Sequence, residues 1–368
     1  MDPIAHTLVG ASLAQTGLRR TTPYAAAALI AGANLPDIDT LATFAGSDFS
    51  LWFRRGWSHG VPALVLLPIL LAGLLVFLAR RREPKTPVRP GALLALSYFA
   101  ALTHPTLDWM NNYGVRWLMP IEERWFYGDT LFIVDLWIWT TLGGVVFLAR
   151  ERRVPSFAMW GLFAAFAGYL LFTVVPGLLP AKIFWCAALA GILLLRWRGV
   201  GREETPSRRL AIGAVAAVTI YILVLAAATR YTRQSVLDAM TARGVTVEKI
   251  MVGPVPVTPF VRDVVVQTPE GYHYGRANLW PEFELELAPR TVPLLEDSPV
   301  VRAATASPTV RGFMNWARFP FAEVEETASG YTVYLSDARY TRTRGAGFGS
   351  ARVEIPKERP DTHDTDGR

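Results

Sequence analysis

The sequence predicts a polytopic α-helical membrane domain followed by a small α+β, strand-rich soluble domain. Half of its 368 residues, 51%, are hydrophobic, and several uninterrupted apolar runs are long enough to cross a bilayer. Those runs stop near residue 229. Beyond it short apolar stretches alternate with polar residues, as in Arg262–Gln267 and Tyr331–Leu335. Turn signals at Pro269-Glu270-Gly271 and Ala328-Ser329-Gly330 separate them. The net charge of +6 fits basic loops under the positive-inside rule, so no nucleic-acid partner is expected. The single cysteine, Cys186, lies inside an apolar run and is expected as a packed residue. The first residues lack the basic segment of a cleavable signal peptide, so none is expected.

In chain order, residues 4–18 and 23–35 are short apolar stretches joined by Arg19-Arg20, read as short or re-entrant helices. The polar break Asn34–Asp39 ends the second, and residues 40–60 read as a loop or interfacial segment. Spans are expected at 61–79, 91–107, 131–149, 157–175, 181–197 and 210–228. The basic loops 80–90, 150–156 and 196–209 alternate regularly and are assigned to the cytoplasm. That puts residues 36–60, 108–130, the 176–180 turn and everything after Ala228 on the other side, with Arg54 and Arg55 running against the rule. Residues 231–243 read as a helix leading into the second part. The predicted organisation is a multi-span membrane domain over 1–229 and an extracytoplasmic α+β domain over 230–355. A disordered, charged tail is expected over 356–368. No internal or inverted repeat is visible, which argues against a transporter.

This topology gathers polar groups at one membrane face. His6, Asp37, Asp39, His59, His104 and Asp108 all fall there, although spread over about 100 residues. His104 and Asp108 stand four apart, a spacing that brings both to one face of a helix. A catalytic divalent-metal site needs neutral imidazoles or carboxylates and an open position for water. Asp39 lies two residues from Asp37; in an extended or turn segment the pair can share a metal, or one can ligate while the other acts as general base. Arg55 and Asn34 are donors for an anionic oxygen. Asp135, a turn into an expected span, is a functional candidate by its place alone, as a metal ligand or as the hydrogen-bond partner of a ligating histidine. Asp129, at the boundary, reads as a helix cap. Singly, each group has an ordinary structural explanation: a packed histidine, a helix cap, a helical side-chain pair. Together at one face they favour a metal site. Pro105, between His104 and Asp108, is expected to bend or restart the helix.

The segments Met1–Thr7, Leu35–Asp39, Arg55–His59 and His104-x3-Asp108 with Tyr113-Gly114 resemble the YdjM-like family, described as membrane-bound metal-dependent hydrolases. Pro120, Arg124, Asp129 and Leu131–Asp135 extend the resemblance, which covers residues 1–145. Trp316–Phe321 and Asp337–Tyr340 are similar to the tails of some members. The resemblance implies that His6, Asp37, Asp39, His59, His104 and Asp108 are metal ligands. His-x3-Asp is also similar to the zinc sites of phospholipase C and a class of nucleases, which implies phosphoester chemistry. The expected function is therefore a metal-dependent hydrolase at the outer face of a bacterial inner membrane. It would cleave a phosphoester, lipid phosphoesters included, with a metal-activated water. Zinc is the expected metal, and mixed His and carboxylate ligands also suit manganese or iron(II). Membrane lipid and a small-molecule or lipid substrate are the expected partners. The alternative is a non-catalytic membrane protein with a structural or sensory metal and an envelope-interaction domain.

Overall fold

The computed structural model describes residues 1–82, 84–149, 154–175, 178–201, 203–341 and 347–357. Described residues up to 242 are mostly helical, and two small antiparallel sheets follow. Helix α1 (Pro3–Gln15) begins where the Asp2 side chain accepts the Ala5 N–H, with proline in the first turn. It ends at Gly17, whose φ of 109° is costly for any other residue. Helix α2 (Ala25–Gly32) is almost all small residues. A Cβ at Gly10 would lie 2.5 Å from the Leu29 carbonyl oxygen, and one at Gly32 would lie 2.9 Å from the Ala100 Cβ. Small side chains thus let α1, α2 and α5 meet backbone to backbone, the packing that works without a hydrophobic drive in lipid.

An eleven-residue 3-10 helix, Leu35–Ala45, and α3 (Ser47–Phe53) occupy the expected interfacial segment. The bundle continues with α4 (Val61–Arg82), α5 (Pro90–Trp109), α6 (Leu136–Ala149) and α7 (Val154–Tyr169), which a π-turn extends to Val174. Helices α8 (Leu179–Trp197) and α9 (Glu204–Ala242) complete it. Among the described residues four segments are long and apolar enough to cross a membrane: Val61–Arg82, Ser156–Val174, Leu179–Trp197 and Thr205–Ala242. The two other expected spans are helices of a different kind. Helix α5 ends in buried polar residues, and α6, 14 residues long, starts at Leu136, so that 131–135 approach it as a loop. Helix α5 also runs through Pro105 without restarting. A proline forfeits one helical hydrogen bond, and the buried face of Ala100, Ala101, His104, Leu107 and Asp108 on both sides of it holds the helix together.

Helix α9 has 39 residues and is about 60 Å long. The expected lead-in helix is its continuation: Val236 and Met240 pack on Ile250, Val252, Val264 and Val266 of the first sheet. That sheet is a meander of β1 (Lys249–Pro254), β2 (Val261–Thr268), β3 (Gly271–Asn278) and β4 (Glu284–Val292). Short helices α10 (Pro299–Thr305) and α11 (Arg311–Trp316) lead to the second sheet, β5 (Pro320–Glu326), β6 (Gly330–Asp337) and β7 (Ser350–Pro356). This second unit sits on the loop after α5, with Tyr113 in its core beside Phe313, Trp316 and Val333. The Asp48 carboxylate of α3 accepts the Gly312 and Phe313 N–H groups at 2.9 Å each, capping α11 from the helical half. A buried Arg318–Asp129 ion pair at 2.8 Å makes a second tie. The tail from residue 358, loop residues 150–153 and turn residues 176–177 lie outside the described residues.

Candidate metal centre

The 3-10 helix, the loop before α4 and the end of α5 meet where α1 begins. There Asp37, His59, His104 and Asp108 each offer a ligand atom, and these atoms all lie within 4.8 Å of one another. The side chains of the last three are fully buried and that of Asp37 is 14% exposed, so the group opens at its Asp37 edge.

His104 is aimed by its backbone neighbour. Its Nδ1 lies 2.7 Å from the Ala33 carbonyl oxygen, which can only accept, so Nδ1 carries the proton and Nε2 keeps its lone pair. That Nε2 has no hydrogen-bond partner among the described residues. It stands 3.6 Å from both Asp37 Oδ1 and Asp108 Oδ2. Two atoms bound tetrahedrally to one zinc ion lie about 3.4 Å apart. A lone pair turned towards two carboxylates is repulsive unless a proton or a metal ion stands between them. The residues present therefore fit a divalent ion.

His59 repeats the arrangement. Its Nε2 is 3.2 Å from Asp108 Oδ2, while Nδ1 faces Ser58 Oγ at 2.8 Å and Asp39 Oδ2 at 3.3 Å. Asp39 also accepts the Ser58 hydroxyl at 2.5 Å and the Arg55 backbone N–H at 2.9 Å. Asp39 thus stands behind His59, where a carboxylate orients a ligating imidazole, and outside the four-residue group. Three residues per turn place Asp37 and Asp39 on different sides of the 3-10 helix, whereas the expected extended or turn segment would have allowed them to share an ion.

Asp108 is the hub. Arg55 grips it with a fork, Nε to Oδ2 at 3.0 Å and Nη2 to Oδ1 at 3.1 Å. On the Oδ1 side His6 Nε2 approaches to 3.3 Å and the Met1 amino group makes contact. The His6 ring stacks on His104 at 3.7 Å, so His6 flanks the group rather than joining it. Arg55 also donates to Asn111 Oδ1 at 3.1 Å and lies 4.4 Å over the Tyr113 ring. Its φ of 52° is a strained conformation for a non-glycine residue. Arg55 is buried as the counter-charge of Asp108.

Asp37, Asp39 and Asp108 face three cationic groups, Arg55 and the Met1 amino group on Asp108 and Arg54 at 3.6 Å from Asp39, and Asp37 is the carboxylate of the three with no arginine or amino group on it. Burial pushes the Asp37 carboxyl up, but a protonated His104 imidazole beside it, the state without an ion, more than reverses this and holds it at about 2. Burial likewise raises Asp39, and the contacts with His59, Ser58 and Arg55 bring it below the usual range. Burial lowers His59, yet Asp108 and Asp39 outweigh it and raise its pKa. These directions keep Asp37 and Asp39 ionised and bind the His59 ring to its carboxylate neighbours.

Two other sequence candidates are engaged elsewhere. The Asn34 amide donates to the Ile30 carbonyl at 2.8 Å and accepts from Thr7 Oγ1 at 3.2 Å, closing the end of α2. Asp135 accepts the Trp137 and Ile138 N–H groups at 3.0 Å each and the Tyr221 hydroxyl at 3.0 Å, which makes it the cap of α6. Sequence reasoning missed Asn111 and the Ala33 carbonyl. Asn111 stands three residues after Asp108, a helical spacing that carried a usable signal; a backbone carbonyl carries none.

Comparison with known proteins agrees with the motifs. Residues 1–176 match the family described as YdjM inner membrane protein, bearing out the resemblance over the part that carries the candidate metal ligands. A Bacillus subtilis (strain 168) protein, printed as "Uncharacterized protein YfhP", is 20% identical over 148 residues, 40% of this chain and 43% of that protein. The match thus spans less than half the length of that relative. No solved structure matches.

Proposed function

We propose that this protein is a metal-dependent hydrolase of the bacterial inner membrane that cleaves a phosphoester, with Asp37, His59, His104 and Asp108 holding the ion. The observation that carries the reading is the unpartnered His104 Nε2, locked by the Ala33 carbonyl and pointed at two carboxylates. Zinc fits this set best, and manganese and iron(II) fit its mixed donors. When bound, such an ion lowers the pKa of a coordinated water towards neutrality and polarises a phosphoryl oxygen. The chain's own groups do the rest. Asp37, the one member of the group whose side chain is partly exposed, would take the proton of the attacking water. Asp39 and the Ala33 carbonyl hold the two imidazoles in their ligating tautomers. Arg55, with its guanidinium committed to Asp108 and Asn111, holds Asp108 in register instead of reaching for substrate. The partial exposure of Asp37 favours an open, catalytic centre over a closed structural one.

On this reading the centre and both sheets lie on the extracytoplasmic side. The test is hydrolysis of a panel of lipid and water-soluble phosphoesters by the protein in nanodiscs. Turnover of at least one class should vanish on chelation and return with added zinc or manganese. Metal-loaded protein that cleaves no phosphoester overturns the reading.

A further inference from the structure

The 3-10 helix that supplies Asp37 carries a second pattern. With three residues per turn, positions three apart eclipse, and Ile38, Leu41 and Phe44 form one stripe. They are 54%, 61% and 91% exposed. Three large apolar side chains in line on an eleven-residue helix are out of place against water. The stripe runs along the helix a third of a turn from Asp37, the residue at which the candidate centre opens, since Ile38 follows Asp37 directly. The helix packs on α4, whose exposed Val61, Val65 and Ile69 stand four apart and form a lipid-facing line down a membrane span. Trp57, exposed just before α4 begins, is the residue type that settles at the level of lipid headgroups. The stripe therefore continues the surface that the bilayer already covers, which identifies its occupant as membrane lipid.

We propose that Leu35–Ala45 is an interfacial docking helix. It lies in the headgroup layer with Ile38, Leu41 and Phe44 dipped into the acyl boundary, and so sets the Asp37 edge of the centre among lipid headgroups. Resting on the hydrolase reading above, it follows that the substrate is a membrane lipid, taken laterally from the leaflet.

Depth and chemistry are tested separately. Spin labels at Phe44→Cys and Leu41→Cys, in a Cys186→Ser background, are read in nanodiscs by collision with oxygen and with a water-soluble nickel chelate. Both labels should favour oxygen over nickel, as labels on lipid-facing α4 positions do. Labels that favour the nickel chelate place the stripe in water and overturn the docking. Labels shielded from both reagents mean that a second copy or another protein covers it, which also overturns it. For the second step, Phe44→Asp with Leu41→Asp should lower turnover of a lipid phosphoester in bilayers at least tenfold and leave a water-soluble phosphoester within twofold. Equal loss on both substrates, or on neither, overturns lateral lipid uptake even if the labels report docking. Absence of all hydrolysis with lipid-depth labels overturns the hydrolase reading and leaves docking standing.

Discussion

Replacing Asp39 by asparagine removes no member of the four-residue group, yet it should weaken metal binding. Asp39 Oδ2 accepts from Ser58 at 2.5 Å and from the Arg55 N–H at 2.9 Å and faces His59 Nδ1 at 3.3 Å. Asparagine keeps the shape and one oxygen but loses the charge that fixes the imidazole with Nε2 towards Asp108. Loss of such an orienting carboxylate costs about 10–100-fold in affinity. At about 1.4 kcal/mol per decade that is about 1.4–2.8 kcal/mol. The assay is competition against a chromogenic chelator with the protein in nanodiscs, alongside thermal unfolding to confirm that the fold survives. His59→Ala, which deletes a donor atom, sets the scale and should lose more than about 100-fold. The reasoning fails if Asp39→Asn binds as wild type does, or if it loses as much as His59→Ala.

Three further outcomes are expected. Gly32→Val should cost about 1–3 kcal/mol of stability by overpacking, because even its Cβ would stand 2.9 Å from Ala100 Cβ and 3.2 Å from the Ser97 oxygen. Since Ala33 follows directly, metal affinity should fall with the melting temperature, both read on one sample. Asp48→Ala should cost about 1–2 kcal/mol through loss of the α11 cap, visible as faster amide hydrogen exchange over 311–316. Buried Asp337 is paired with Arg339 at 2.8 Å; burial pushes its carboxyl up, but Arg339 and the Arg318 N–H hold it below the usual range. Its stabilisation is therefore complete above the unfolded carboxyl pKa and lost as pH falls through the lower folded value. Asp337→Asn should cost about 3–5 kcal/mol near neutrality and flatten the acid limb of a pH–stability curve.

Much of this architecture was legible because lipid imposes simple rules. Apolar runs marked the helical half, and alternation with turn residues marked the strands. The His104–Asp108 spacing gave the helical pair, and the pair forms in spite of Pro105 because one missing hydrogen bond is small against the buried packing around it. What stayed hidden depends on local geometry that the residue types do not encode. Asp37 and Asp39 differ in role because a 3-10 helix, not an extended turn, carries them. Asp135 caps α6 because that helix starts one residue later, not four earlier. Asn34 closes α2 through its own side chain instead of facing the carboxylates. The seating of the second sheet on Tyr113 was beyond reach, since it joins residues about 200 positions apart through packing alone.

The central claim is that four side chains make one metal centre, and metal stoichiometry tests it most directly. Protein purified in detergent, loaded with zinc and freed of excess, should carry one ion per chain by elemental analysis. His104→Ala and Asp108→Asn should carry none while keeping their helical circular dichroism. A wild-type protein that holds no ion, or a His104→Ala protein that still holds one, would contradict the account.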